Sequence, residues 1–379
     1  MRRTVGIVLA ALLAVGVIVA IVVSAGGGDD DPGSQDVVAV RGVIGSEKAP
    51  FFADRRVQAE FRKHGLKVEV DTAGSRSIAT TVDLSKYDFA FPSGVPAAAQ
   101  LKTKSGASTT YTVFYTPMVI ASWQPIAKIL EGAGVAKPQG VTAAAPDGTY
   151  DTFDIAKFLD LVKNNTRWND LPDHEAYDAS KSVLITSTDV RTSNSAANYL
   201  SITSYVANGN NVVQNETDGD KVIPTVSQLF LKQGFTATSS EEPFDDYLAI
   251  GIGKAPIVFV YEAQFLAHVF ADDGAITPDM RLLYPDPDVL SKHIVVPLNE
   301  NGDKVGKLLL TDPVLQRLAA AYGFRTNDPK SFNDELKQHP AGIPRTIVDL
   351  IEPPSYEALE HMIEKIEQLY AQNQGGATP

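Results

Sequence analysis

The chain has 379 residues, enough for two domains of ordinary size. It carries 33 Lys and Arg against 46 Asp and Glu, and the resulting net charge of −13 argues against nucleic acid and anionic lipid as partners. It contains no cysteine, which excludes disulfides, thiolate metal ligands, thiol catalysis and a lipid anchor on cysteine.

An unbroken run of 21 apolar or small residues, 5–25, follows two arginines. A helix of this length spans roughly 31 Å, close to the thickness of a bilayer core. The arginines favour a cytoplasmic N-terminus, so we predict a transmembrane anchor in residues 1–25 and the rest of the chain outside the cell. A cleaved signal peptide is the alternative, because Val-Ser-Ala at 23–25 resembles a cleavage site. Residues 26–36 are rich in glycine and aspartate and predict a flexible linker.

Strand and helix patterns alternate in the first quarter of the chain. Apolar or alternating runs predict strands at 37–43, 66–71 and 87–91, whereas helical spacing predicts helices at 50–64 and 78–84. This order is typical of an α/β domain with a largely parallel sheet. A long apolar and β-branched run then predicts a strand at 110–122.

Helices are more frequent in the remainder of the chain. Apolar periodicity predicts helices at 123–133, 155–164, 195–207, 225–233, 246–253, 262–271 and 355–372, and strands at 182–186, 257–261, 281–284 and 293–297. Asp312 followed by Pro313 predicts a helix start, and Gly323 predicts the end of that helix. Residues 137–149 and 170–180 are predicted to be loops.

Four short polar clusters follow apolar runs, at 45–48, 74–76, 91–94 and 192–195, and all but the third precede a helical pattern. The first N–H groups of a helix have no partner within it, and the helix dipole makes that end positive. Clusters of this kind from distant parts of the chain can converge on one small polar ligand. The motifs of serine hydrolases, phosphate-binding loops and zinc proteases are absent from the sequence. We therefore predict a binding protein and no enzyme.

The order of these motifs resembles that of type 2 extracellular solute-binding proteins, in particular the branch that binds molybdate-like oxyanions. The matching segments are 43–46, 72–76, 88–93, 115–120, 188–195, 249–262, 283–285 and 321–324. The resemblance implies a two-lobed α/β fold with two hinge crossovers, near 115–120 and 283–296. Lobe I would comprise 37–118 and 284–379, and lobe II would comprise 119–283. The insertion at 137–180 and the tail after Arg325 depart from the family pattern.

The resemblance also implies a set of ligand contacts. They are Ser46, Ser75, Arg76, Ser93, Ser193, Asn194, Ser195 and Tyr261. Each serine could instead be an ordinary helix cap or turn residue, and the tyrosine a core residue. Serines and arginines suit an oxyanion, whereas Glu47, Asp88 or Glu262 in the cleft would suit an amine or a zwitterion. No cofactor is implied, and none of the six histidines has metal-ligand spacing.

We therefore expect a membrane-tethered extracellular protein that captures a small polar or anionic solute between two lobes, without catalysis. Its partner would be a membrane transporter or an envelope protein. The alternative is an envelope scaffold or sensor that uses the same fold to bind a protein, and the anchor, the insertion and the tail favour it. An open cleft lined by the polar clusters would support solute capture, and a filled cleft would support the scaffold.

Overall fold

A computed structural model of the chain describes residues 37–140, 150–234, 236–344, 347 and 349–375. The predicted anchor and linker lie outside these residues. No helix within them has the length and apolar character that a membrane span requires. Residues from Val37 onward form one compact unit.

Strands of this unit form one mixed sheet. They are β1 (Val38–Ile44), β2 (Leu66–Thr72), β3 (Phe89–Phe91), β4 (Tyr111–Trp123), β5 (Ala136–Gln139), β6 (Tyr150–Asp154), β7 (Ile257–Tyr261), β8 (Met280–Asp286), β9 (Asp288–Pro297) and β10 (Leu350–Ile351). The order is β2-β1-β3-β9-β4-β8-β6-β5, with β7 paired to β4 and β10 paired to β9. β1 is parallel to β2 and β3, whereas β4 is antiparallel to β7, β8 and β9. β6 is parallel to β8 at the other end of the sheet, so the parallel arrangement predicted from the first three strands is interrupted by the antiparallel pairs of β4 and β9 in the middle.

The helices of the described residues cover both faces of the sheet. They are α1 (Ala49–Ala53), α2 (Arg55–Lys63), α3 (Ser75–Thr80), α4 (Val95–Ser105), α5 (Gln124–Gly132), α6 (Ile155–Lys163), α7 (Asn194–Ala207), α8 (Glu216–Leu231), α9 (Glu241–Ala249), α10 (Glu262–Ala271), α11 (Glu300–Thr311), α12 (Pro313–Ala321), α13 (Pro329–Gln338) and α14 (Tyr356–Gly375). Short 3₁₀ turns lie at Ser46–Lys48, Leu84–Lys86, Trp168–Asp170 and His174–Tyr177.

The long strand β4 connects the two halves of the sheet. It pairs with β9 up to Pro117 and with β7 and β8 from Met118 onward. The change of partners falls within the crossover predicted at 115–120. We use the names lobe I and lobe II for the predicted ranges on either side of it, whose boundaries stay a prediction.

Alternate residues of the lobe I strands point to two apolar cores, as the period of a strand requires. In β3, Phe89 and Phe91 belong to a core rich in phenylalanine, whereas Ala90 belongs to the core on the opposite face. A third and larger core fills lobe II. It also includes the tail residues Met362 and Ile366 of α14, which packs against α8. The tail is therefore part of the folded unit.

Some predicted elements are wrong for local reasons. The helix predicted at 50–64 is interrupted at Asp54, which is extended and caps α2 by accepting a hydrogen bond from the N–H of Arg56. The strand predicted at 182–186 forms only isolated bridges, at Ser182 and Thr186. The cluster at 91–94 does precede a helix, α4, whose alanine-rich sequence has no marked apolar stripe.

We expect Met362→Ala to lower the free energy of unfolding by about 2–5 kcal/mol, because it removes a fully buried side chain from the lobe II core. Glu364→Ala is the matched control, since Glu364 is exposed on the same helix. Urea unfolding of the two variants measures the difference. Equal stability of the two variants would mean that the tail does not belong to the cooperative unit.

Candidate functional site

Residues from both lobes line one small cavity. Its walls include the predicted residues Ser46, Ser75, Ser193, Asn194 and Tyr261. The first two come from turns that follow β1 and β2, and the others from the start of α7 and the end of β7. Strand-to-helix turns that are far apart in the sequence therefore meet at one place between the lobes.

The cavity is almost entirely filled by protein. Its volume is about 10 Å³, whereas a single water needs roughly 10–15 Å³. Ser75 and Tyr261 are only 2% and 1% exposed. The cleft is thus closed, and no small solute fits between the lobes unless they separate. A filled cleft is the state that we expected of a scaffold.

Two glycines allow the lobes to touch directly. A Cβ atom at Gly74 would lie 2.2 Å from the carbonyl oxygen of Thr192, and one at Gly94 would lie 2.1 Å from Oδ1 of Asn194. Both distances are far below van der Waals contact. The backbone of lobe I therefore rests against the start of α7, and the closed arrangement depends on the absence of side chains at these positions.

Hydrogen bonds through Ser93 join the two lobes. Nδ2 of Asn194 donates to the Ser93 carbonyl oxygen at 2.7 Å and to the hydroxyl of Tyr261 at 3.1 Å. The Ser93 N–H donates to Oγ of Ser75 at 2.9 Å, and Oγ of Ser291 donates to the Ser93 carbonyl oxygen at 2.5 Å. Ser93 therefore connects the turn after β3 with α3 and β9 of lobe I and with lobe II.

A fully buried lysine lies beneath this contact. Nζ of Lys48 is 2.5 Å from Oε1 of Glu47, 2.7 Å from Oγ of Ser93 and 3.2 Å from Nδ1 of His293. An ammonium group has three N–H donors, so these three acceptors satisfy it completely. The hydroxyl of Ser93 in turn donates to Glu47. Nδ1 of His293 is then an acceptor, which assigns the ring proton to Nε2, 3.5 Å from Oγ of Ser291.

The network shifts the pKa values of its titratable residues. Burial lowers the pKa of Lys48, although Glu47 opposes that shift. Burial would raise the pKa of Glu47, but the charge and hydrogen bond of Lys48 oppose it, and the pKa is held below its ordinary value. Burial, together with the charge of Lys48, lowers the pKa of His293 to about 4. The histidine is therefore neutral at pH 7, and the network contains one balanced ion pair.

Three predicted residues do not line the cavity: Ser93, which joins the lobes beside it, Ser195 and Arg76. Oγ of Ser195 donates to the carbonyl oxygen of Phe259 at 3.4 Å, inside lobe II. Nε of Arg76 is 2.8 Å from Oε1 of Glu360 in the tail, and Nη1 of Arg76 donates to the carbonyl oxygen of Arg191 at 2.8 Å. Arg76 therefore joins lobe I, lobe II and α14.

The cations nearest the cavity are already paired. Lys48 is paired with Glu47, and Arg76 with Glu360. Arg191 is paired with Asp189 at 2.5 Å and lies 4.9 Å above the ring of Tyr370 in the tail. An anionic solute would have to displace a carboxylate or bind through hydroxyl and backbone N–H groups alone.

Ser46 and Ser193 are among the cavity hydroxyls that are available to a solute. Within the described residues, the side chains of Ser46 and Ser193 make no hydrogen bond, although both residues are buried. They belong to opposite lobes. A bridging solute could therefore bind both without breaking an existing side-chain bond.

One group of described residues has the spacing of a metal site. Ligand atoms of Glu60, His64 and Asp312 lie within 4.8 Å of one another on lobe I. Each already has a protein partner: Nε2 of His64 is 3.0 Å from Asp312, and Lys63 is 2.6 Å from Glu60. This cluster lies outside the interlobe cavity, and none of its three residues lines that cavity.

Sequence reasoning missed the central part of the site. The sequence suggests Glu47 only as a possible amine ligand, and it predicts no functional role for Lys48 or His293. The available signal was the position of Lys48 in the cluster at 45–48, beside Ser46. Nothing in the sequence indicates that His293, which is 245 residues away, contacts it.

The comparisons with known proteins support the fold. No family model matches the chain, and no curated protein matches its sequence. A periplasmic thiamin binding protein has a TM-score of 0.57 at 13% identity, covering 89% of this chain and 98% of its own. The sulfate-binding protein SubI from Mycobacterium tuberculosis H37Rv has a TM-score of 0.49 at 14% identity, covering 85% and 96%. The likeness to the thiamin binding protein shows that the chain has the fold of periplasmic solute-binding proteins.

We expect Gly74→Ala to separate the lobes without unfolding them. Gly74 has φ −63° and ψ 144°, which any residue adopts, so the new methyl group clashes only with Thr192 across the cleft. Overpacking of this kind costs about 1–3 kcal/mol. Small-angle X-ray scattering should show a larger radius of gyration. Gly253→Ala, which meets open space, is the control, and an unchanged radius in Gly74→Ala would contradict direct contact.

We expect the chain to lose stability as the pH falls from about 6.5 to about 4. In this window the unfolded state protonates His293 and the folded state does not, so acid favours unfolding. The difference in pKa corresponds to about 3 kcal/mol. Urea unfolding at several pH values measures it, and His293→Gln should flatten the dependence. The same loss in wild type and variant would contradict the assignment.

Proposed function

We propose that this chain is a non-catalytic solute-binding protein that takes a small polar or anionic solute between its two lobes. The observation that carries the proposal is the cavity, in which Ser46 and Ser75 of lobe I meet Ser193, Asn194 and Tyr261 of lobe II. The fold is that of periplasmic solute-binding proteins. Solute binding at such a cleft needs only hydrogen-bond donors and a hinge, and β4 offers the hinge.

Binding would begin with separation of the lobes. Opening breaks the bond from Asn194 to the Ser93 carbonyl oxygen and exposes the N-terminal turns of α3 and α7. Their N–H groups and the hydroxyls of Ser46 and Ser193 would then replace the hydration shell of the solute. Closure over the solute would restore contacts in the same region.

The charge of the site favours a solute that is bound by hydrogen bonds. The pair of Lys48 and Glu47 is balanced, and both nearby arginines are held by carboxylates. A polar solute with several hydrogen-bonding groups therefore fits with the least disruption. An oxyanion would be bound by dipoles, as helix N-termini allow.

We propose that residues 5–25 hold the protein in the cell membrane, with the folded unit outside the cell. The motivation is the length of the apolar run and the two arginines before it. A membrane transporter or an envelope protein would then receive the solute or the signal. N-terminal sequencing of the mature protein that begins near residue 26 would contradict the anchor.

The second candidate function is an envelope scaffold or sensor that binds a protein partner. It is favoured by the filled cavity of about 10 Å³ and by the tail, which contacts both lobes through Arg76 and α8. In this role the closed unit would be the working form. The two candidates differ in what closes the lobes: protein contacts alone in the scaffold, and a bound solute in the solute-binding protein.

A thermal-shift screen tests the first candidate. Sulfate, phosphate, molybdate, amino acids and thiamin are added separately to the purified chain, and we expect at least one to raise Tm. A ligand at 100 times its Kd adds about 2.7 kcal/mol of stability. If no compound changes Tm, solute capture is contradicted for these classes and the scaffold is favoured.

Ser193→Ala tests the position of the bound solute. We expect it to weaken binding by about 1–3 kcal/mol. Without solute its stability should not change, because this hydroxyl has no partner in the described residues. Ser77→Ala, on α3 but not in the cavity wall, is the control. Equal affinity of wild type and Ser193→Ala would exclude the cavity as the binding site.

A further inference from the structure

A separate groove of about 340 Å³ lies beside the interlobe cavity. It shares Ser46 and Glu47 with that cavity, but its other walls are different. Pro50 and Tyr322 come from lobe I, and Phe244 comes from lobe II. Unlike the cavity, the groove has room for a small molecule while the lobes are closed. Its volume is at the lower end of the range for small-molecule sites, roughly 300–1,000 Å³.

The floor of the groove is apolar. Three alanines of α10, at positions 263, 267 and 271, line it at intervals of four residues, which places them on one face of the helix. The rings of Phe244 and Tyr322 add aromatic surface. A flat apolar body therefore fits between α9 and α10.

The charged residues of the groove are mainly acidic, and His268 is the one titratable base among its described lining residues. Glu47, Glu241, Asp245 and Asp273 line it, and no lysine or arginine of the described residues does. Glu47 is neutralised by Lys48, and Asp273 is paired with His268 at 2.7 Å. Glu241 and Asp245 have no hydrogen bond or ion pair within the described part of the chain.

The two unpaired carboxylates lie on the same side of α9. They are four residues apart, so they are neighbours on one helix face. The start of a helix favours acidic residues, which accounts for Glu241 in the first turn but not for Asp245 in the second. Partial burial and repulsion by Asp245 and Glu47 raise the pKa of Glu241, and partial burial raises the pKa of Asp245 although His268 opposes that shift. A cation between them would relieve this repulsion.

We propose that the groove binds a small organic cation. Its ammonium group would lie between Glu241 and Asp245, and its apolar body would lie against Phe244 and the alanines of α10. This site goes beyond the solute proposed for the interlobe cavity and does not require the lobes to open. The apolar floor accepts the body of the ligand, and the two carboxylates attract its positive charge. Together they favour an amine over a neutral or anionic compound of the same shape.

Isothermal titration of the full chain with three matched probes tests the proposal. The probes are tryptamine, its neutral analogue tryptophol and the anion indole-3-propionate. We expect tryptamine to bind at least about tenfold more tightly than tryptophol, since two carboxylates contribute about fivefold each. Indole-3-propionate should bind more weakly than both. Equal affinity for tryptamine and tryptophol would overturn the proposal.

Variants identify the site. Glu241→Gln combined with Asp245→Asn should remove the preference for tryptamine and leave tryptophol binding unchanged, whereas Glu242→Gln, at the exposed neighbouring position, should have no effect. Ala267→Phe should block both compounds by filling the groove. Unchanged tryptamine binding in the double variant would overturn the proposal. Ser193→Ala should not alter tryptamine binding, so failure of the interlobe proposal and failure of the groove proposal give different results.

Discussion

The buried ammonium of Lys48 is the constraint on which the arrangement between the lobes depends. A charge removed from water must have its donors satisfied and a counter-charge at hand. Glu47, Ser93 and His293 supply three acceptors from three separate parts of the chain. This requirement holds the turn after β1, the end of β3 and the strand β9 together. Removing one partner of such a buried pair typically costs about 3–5 kcal/mol.

Ser93 transmits this constraint to the second lobe. Its hydroxyl belongs to the lysine network, while its carbonyl oxygen accepts the bond from Asn194 of α7. The contact between the lobes therefore rests on the lysine network of lobe I. The bonds that opening must break lie where this network meets lobe II. The buried pair of Glu262 and Arg325, at 2.9 Å, and the hydrogen bond from Nη1 of Arg76 to the carbonyl oxygen of Arg191 hold the two lobes at other points. Solute capture would work against these protein contacts, which makes the balance between open and closed forms central to the function.

The sequence predicts the strands of the first quarter of the chain and the meeting of the polar turns, but it misses β5, β6 and β10 and the interior of the site. β1 and β2 have strong apolar periodicity, and both are predicted within a residue of their bounds. Ser75 and Ser193 could be predicted to meet because each stands where a helix begins. The contact of Lys48 with His293 could not, because a lysine is usually a surface residue and no local pattern indicates burial. The break at Asp54 also escapes periodicity, because the apolar spacing continues across it.

The distance between the lobes in solution tests this account most directly. Because the chain has no cysteine, Lys102→Cys and Thr217→Cys introduce one spin label on an exposed position in each predicted lobe without background labelling. Pulsed electron paramagnetic resonance then measures the distance in the solute-free protein. Direct contact of the lobes predicts one narrow distribution at the closed distance. A broad distribution shifted to longer distances in the wild type would contradict closure by protein contacts alone.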